Sequence, residues 1–274
     1  DLQAQKEPEK PILNATEDSN SEAEAIHGIK QEGYVERPEF DKAQWQSNFV
    51  QFDRTGVFLW WVTKSMYEFI RTYSLNKITQ HPQYPKFIWK PKIVDVGCGV
   101  GVGSNIMSNE ADIVWGIDKD EKTINFAKQC FTRVKNGIFY SSQVSFDLID
   151  IMKDTREFLK FDLVAAIEII EHIEDYKGFL QAIIKKFTKR DKSGSVRVPD
   201  PTAFFISTPN RNNKDIQKDT PKSKFHVREW TCGEFREVLS EFFENIEMLD
   251  WRGNKVELDT VETPVLAKCS IPKI

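Results

Sequence analysis

Glu168, Glu171 and His172 are the residues of this chain whose types and spacing are best suited to chemistry. Offsets of three and four residues bring two carboxylates and an imidazole together if the segment makes a single helical turn. Such oxygen and nitrogen donors suit Mg, Mn or Zn, and residue types alone do not select among them. His226, within Phe225-His226-Val227-Arg228-Glu229-Trp230-Thr231, is placed to add a fourth ligand from a neighbouring loop. Without a metal, His172 could take a proton as a general base, with Glu171 beside it. A metal site formed by Glu168, Glu171, His172 and His226, a metal-free base at His172, and a structural cluster are the three roles these residues leave open.

A second constellation binds rather than reacts. The segment Ile93-Val94-Asp95-Val96-Gly97-Cys98-Gly99-Val100-Gly101 joins an apolar strand to alternating glycines that leave no side chain where a ligand must approach. Asp118 ends the next apolar run, Ile113 to Ile117. A strand, a glycine turn, a helix and a second strand ending in an acid set a carboxylate against the two hydroxyls of a ribose. The dinucleotide fingerprint needs a third glycine at Val102, counted from Gly97, or at Ser104, counted from Gly99. Neither is glycine, which weakens a dinucleotide reading.

These residues must be held by alternating strands and helices. Ile93–Val96 reads as a first strand and Asp120–Phe131 as the helix after the second, with Ile124, Ala127 and Phe131 on its buried side. Further strands are expected at Val144–Phe146, Phe161–Ile167 and Ala203–Ser207, with a helix carrying Phe179, Ile183, Ile184 and Phe187 between the last two. Thr231 and Glu234 form a capping-box pattern ahead of Phe235, Val238, Leu239 and Phe242. Upstream, Phe58, Trp61, Val62, Ser65 and Phe69 recur at near-helical spacing, and Pro82, Pro85 and Pro91 mark a rigid approach to the first strand.

On these motifs the chain resembles the class I S-adenosylmethionine-dependent methyltransferases from about Lys92 to its last residue. Within them it is similar to the ubiquinone-biosynthesis O-methyltransferase group, through Glu168-Ile169-Ile170-Glu171-His172 and Ser207-Thr208-Pro209-Asn210-Arg211. The latter segment and His-x-x-Glu-Trp-Thr also resemble sugar or polysaccharide methyltransferases, and with Glu-x-x-Glu-His they resemble the small-RNA terminal 2′-O-methyltransferases. The resemblance implies a doubly wound, Rossmann-like α/β fold with a seven-stranded sheet, closed by an antiparallel pair at Ile246–Trp251 and Val261–Ala267. It implies S-adenosylmethionine as cofactor, with Gly97, Gly99 and Gly101 against its methionine portion, Asp118 on the ribose and Asp150 by the adenine. Asp95 is expected to orient the glycine loop or the cofactor amino group, and Glu168 to serve the cofactor as well as the metal set. His172 and Glu171 are the expected catalytic pair.

The resulting expectation is an O-methyltransferase acting on a small hydroxylated acceptor, foremost a sugar or glycan terminus. Its alternatives are N-methylation of an amino sugar, metal-dependent methylation of the terminal ribose of RNA, and a non-enzymatic cofactor-binding role. A formal charge of −4 argues against broad attraction to nucleic acid or anionic membrane. The basic run Lys185, Lys186, Lys189 and Arg190 reads as a solvated helix end. No apolar run reaches membrane-spanning length, and four isolated cysteines suggest a reducing, cytoplasmic setting. The expected organisation is a flexible arm over residues 1–40, a helical preface over 41–90 and a catalytic domain over 91–274.

Overall fold

The structure, a computed structural model, describes residues 54–79, 90–131, 134–135, 138–139, 143–190, 193–195, 201–212, 225–258 and 260–273. The arm predicted over residues 1–40 lies outside them, as do residues 41–53 and 80–89 of the predicted preface. Helix α1, Arg54–Thr79, falls in the remainder of that preface, with side chains described from Lys64 to Lys77.

The chain then alternates. Strand β1 (Lys92–Val96) leads to α2 (Val102–Ser108), β2 (Ile113–Asp118) and α3 (Glu121–Phe131). A short antiparallel hairpin, β3 (Val134–Lys135) and β4 (Ile138–Phe139), precedes β5 (Val144–Leu148). Strand β6 (Leu163–Ala166) runs into a 3₁₀ turn at Ile170–His172 and then α4 (Tyr176–Phe187). Strand β7 (Ala203–Thr208), α5 (Cys232–Ser240), β8 (Phe243–Asp250) and β9 (Val265–Pro272) complete the fold.

Seven strands form one sheet in the order β5-β2-β1-β6-β7-β9-β8. The five strands from β5 to β7 are parallel, and β9 pairs antiparallel with both β7 and β8. This is the predicted doubly wound sheet with its antiparallel closing pair and an N-terminal helix. Strand β9 starts at Val265 rather than Val261. Pro264 cannot donate a ladder hydrogen bond, which suits it to the loop just before the strand.

Alternation along the strands divides the core into two apolar layers. In β7, Phe204 and Ile206 pack with Phe179, Ile183, Phe235 and Leu239 from α4 and α5. Phe205 belongs to the opposite layer with Met66, Ile70, Met107 and Ile124 from α1, α2 and α3. Helix α1 is thus part of the described core: Met66 and Ile70 are fully buried, and Phe69 and Tyr73 meet the Phe205 ring edge-on. The predicted capping box forms at α5, where the Thr231 hydroxyl accepts from Glu234 N and the Glu234 carboxylate accepts from Thr231 N. Among the described residues, no helix is long and apolar enough to cross a membrane.

Candidate active site

The chain progresses outward from β1 in both directions, through β2 on one side and β6 on the other. Ligands of open α/β sheets bind at the carboxyl ends of strands beside such a switch point. The candidate residues collect there, because Gly97, Glu168 and Asn210 follow β1, β6 and β7 within two residues and Asp118 is the last residue of β2.

The glycine turn is fastened to β2. Gly97 N and Cys98 N both donate to Ile117 O, at 2.8 and 3.1 Å. Gly99 N donates to Asp118 Oδ2 at 3.1 Å and Asp120 N to Asp118 Oδ1 at 3.0 Å. Gly97, Gly99 and Gly101 have φ of 73°, 55° and 86°. At Gly99 a Cβ would meet no heavy atom within 4 Å, so the turn presents bare left-handed backbone to open space. Asp118, 5% exposed, turns its carboxylate toward the same turn.

Asp95 lies one layer deeper. Its Oδ1 accepts from the Tyr67 hydroxyl at 3.0 Å and its Oδ2 from the Ser104 hydroxyl at 2.7 Å, joining α1 and α2 to β1. Burial pushes the Asp95 carboxyl up to about 6, and the Asp118 charge adds to the rise against both hydrogen bonds. Burial first, and then the Asp95 charge, hold the Tyr67 hydroxyl well above its ordinary value. Asp150 sits beyond β5, where its Oδ1 accepts from Met152 N at 3.1 Å and its Oδ2 lies 3.2 Å from Lys153 Nζ.

The reactive cluster is built by two facing segments. After β6, Glu168 takes a left-handed backbone, φ 53°, and the 3₁₀ turn follows. Ser207 clasps Glu168 twice, accepting from its backbone N at 2.9 Å and donating to Oε1 at 2.8 Å. Burial pushes the Glu168 carboxyl up to about 7, opposed by the Ser207 bond and the nearby His226. Glu171 is 1% exposed, and burial, with the Glu168 charge next, drives its carboxyl well above the ordinary range. Glu171 Oε2 makes no well-aligned hydrogen bond among the described residues, although the Thr208 hydroxyl stands close enough to moderate that rise.

His172 Nε2 lies 3.8 Å from Glu171 Oε1, and the rings of His172 and His226 meet edge-on with centroids 4.8 Å apart. Glu171, His172 and His226 each offer a ligand atom within 4.8 Å of the others. That cluster does not include Glu168. The partners of the two rings decide which nitrogen carries the lone pair. His172 Nδ1 lies 3.0 Å from Phe225 O, and a carbonyl accepts only, so Nδ1 carries the hydrogen. His226 Nδ1 faces Glu229 Oε1 at 2.6 Å, and that acid is 6% exposed. With the carboxylate of Glu229 as acceptor, the lone pair of each neutral ring is on Nε2, the arrangement in which metal-ligating histidines are oriented by outer partners.

Sequence reasoning missed Tyr67, Ser207, Phe225 and Glu229 as site residues. Ser207 and Glu229 stand inside motifs that were read, and the three-residue spacing from His226 to Glu229 was a usable signal. Tyr67 reaches Asp95 across 28 residues of sequence and left none.

Comparison with known proteins agrees with the fold. The family profile described as "Methyltransferase domain" matches residues 90–235. A probable S-adenosylmethionine-dependent methyltransferase of Mycolicibacterium smegmatis is 29% identical over 54% of this chain and 49% of its own length. A ubiquinone biosynthesis O-methyltransferase of Coxiella burnetii is 32% identical over 44% of this chain and 45% of its own. The chain thus spans about half the length of these curated relatives. Among solved structures, the plantazolicin methyltransferase BpumL gives a TM-score of 0.55 at 15% identity, covering 93% of this chain and 96% of its own. The methyltransferase domain of bacterial CtHen1 gives 0.52 at 16%, covering 77% and 98%. These likenesses are of fold.

Proposed function

Because the chain belongs to the class I S-adenosylmethionine-dependent methyltransferases, we propose that it methylates an oxygen of a hydroxylated acceptor, aided by a divalent cation at Glu171, His172 and His226. The observation that carries this reading is the buried Glu171 carboxylate, with Oε2 lacking an aligned hydrogen bond, beside two imidazoles whose lone pairs are on Nε2. A buried carboxylate is costly without a compensating charge, and a cation supplies one. Two imidazoles and one carboxylate favour Mn or Zn over Mg, which takes mainly oxygen ligands and water.

The residues also fit the nucleoside cofactor. Gly99 leaves room at bare backbone, and the Asp118 carboxylate, held by Gly99 N and Asp120 N, is oriented to accept ribose hydroxyls. Bound S-adenosylmethionine supplies a methyl group already activated on sulfonium, so no covalent enzyme intermediate is required. The chain's own tasks are to align the acceptor oxygen and to lower the cost of removing its proton. With a cation held at Glu171, His172 and His226, its Lewis acidity would stabilise the acceptor oxyanion. Without one, His172 Nε2 is the lone pair positioned to take a proton.

A single cation between three protein ligands suits an acceptor with two adjacent oxygens. The cluster therefore supports metal-dependent methylation of a vicinal diol, whether the terminal ribose of an RNA 3′ end or a sugar or glycan terminus, over metal-free transfer. Both acceptors share the vicinal diol. The assay is transfer from labelled cofactor to short RNA, to the same RNA with its terminal diol removed by periodate, and to free sugars and phenols, each with Mn, Zn or chelator. Diol-dependent incorporation into RNA that chelator abolishes supports the reading. Chelator-resistant transfer to free sugar returns the choice to the metal-free route, and exclusively N-methyl products defeat the oxygen assignment.

A further inference from the structure

Two separate segments bear the cluster, the 3₁₀ turn with Glu171 and His172 and the loop with His226. Two hydrogen bonds join them at the cluster residues: His172 Nδ1 donates to Phe225 O at 3.0 Å, and Val227 N donates to Glu171 O at 2.8 Å. A third comes from outside the cluster. Arg228 Nη2 donates to Glu174 O at 2.8 Å. Its guanidinium carbon lies 4.5 Å from the centroid of Tyr176, the first residue of α4, and 5.9 Å from that of Trp230, just before the cap of α5. One side chain thus ties the loop to the connection between the turn and α4 while bracing on rings at the starts of both helices.

We propose that Arg228 is a positioning residue: it latches the His226 loop to the connection just after the Glu171–His172 turn and so sets the spacing of the three ligand atoms. The inference rests on the metal-dependent reading above. Its physical basis is tolerance. Metal–ligand distances must be met within about 0.2 Å, and ligands on two segments hold that spacing only if the segments are fixed to each other. A charge-assisted bond to a carbonyl, with the guanidinium packed over two aromatic rings, restrains the loop more firmly than those two hydrogen bonds do alone. A lysine reaches the carbonyl but lacks the planar stacking surface, so it replaces only part of the latch.

The test uses the full chain with cobalt(II) as a spectroscopic probe. Arg228→Met, which keeps an apolar stem and loses the donor, should weaken cobalt binding between about 10- and 100-fold, the range for lost outer-shell partners. Arg228→Lys should recover part of that loss, and both variants should bind the demethylated cofactor as the parent protein does. In metal-free protein the Val227 amide, which donates to Glu171 O, should exchange faster in R228M than in the parent. Parent-like cobalt affinity in R228M, or an unchanged Val227 exchange rate, overturns the proposal. Should the parent protein itself give no cobalt spectrum, the metal reading fails separately, and the Val227 measurement alone still decides the latch.

Discussion

Replacing Gly103 by Ala tests how the first described helix docks on α2, beside the glycine turn. Gly103 lies in α2, directly beneath the Tyr67 ring of α1. A Cβ there would fall inside the van der Waals envelope of that ring, with even Cε1 only 2.5 Å away. The ring cannot simply swing aside, because Tyr67 is 6% exposed and its hydroxyl donates to Asp95. Overpacking costs about 1–3 kcal/mol. Withdrawing the hydroxyl from a carboxylate adds about 1.5–3 kcal/mol. The better helix propensity of alanine returns about 1 kcal/mol. The net loss is about 3 kcal/mol, or a fall in Tm of about 6–12 °C for a domain of this size.

Gly233→Ala is the matched control. In α5 the added Cβ would have Thr231 Oγ1 as its nearest neighbour, at 4.0 Å, so the same chemical change should be neutral or raise Tm by up to about 3 °C. Differential scanning calorimetry of both variants reads the contrast. In a Tyr67→Ala background, where the ring is gone, G103A should lose its penalty. Equal Tm values for G103A and G233A, or a penalty that survives Y67A, would refute the argument.

Three further outcomes follow from the same contacts. Gly99→Ala places a side chain at φ 55° and into open space, so it should cost about 1–2 kcal/mol of stability and weaken binding of the demethylated cofactor by at least about tenfold in isothermal titration; unchanged affinity would move the cofactor elsewhere. Glu229→Gln removes the charge that orients His226 and should weaken cobalt binding by about tenfold or more, and parent-like affinity would remove Glu229 from the site. Folded Asp95 retains a proton that the unfolded chain releases between about pH 4 and pH 6, so this residue lowers stability as pH rises through that window and adds no further loss above it. Asp95→Asn should remove a difference of order 3 kcal/mol across the window in urea unfolding, whereas a pH-independent gap between the two proteins would contradict the assignment.

What was legible in the sequence was local. Thr231 and Glu234 form their capping box within one helical turn, and Glu171 and His172, neighbours in sequence, share one short turn, whereas Glu168, which offsets of three and four were expected to bring to the same ligand set, lies outside that cluster. The sheet was legible for a related reason: buried parallel strands read as short apolar runs between helices of 3.6-residue period. Asp95 shows where this reasoning ends. The family resemblance suggested a role for it at the loop or cofactor, but what surrounds it was decided by Tyr67, 28 residues upstream on a separate helix. Gly103 escaped notice for the same reason, since its importance lies in a ring brought by α1 rather than in the turn before it. The β3–β4 hairpin has strands of two residues each, too short for any period to register.

Glu168 combines two burdens that a different residue would shed. Its left-handed backbone costs a side chain with a Cβ about 1–2 kcal/mol, and its carboxyl is buried deeply enough to be pushed up to about 7. Asparagine or glycine accepts such a backbone more readily and carries no charge to bury. Directed evolution of this protein for heat resistance alone should therefore enrich Glu168→Gly or Glu168→Asn, variants that lose the carboxylate clasped by Ser207 at the carboxyl edge of the sheet, where the transfer site is proposed. A library screened for turnover should keep the acid, so the two regimes diverge at this codon, and sequencing both pools would show on which side of the trade-off the natural residue lies.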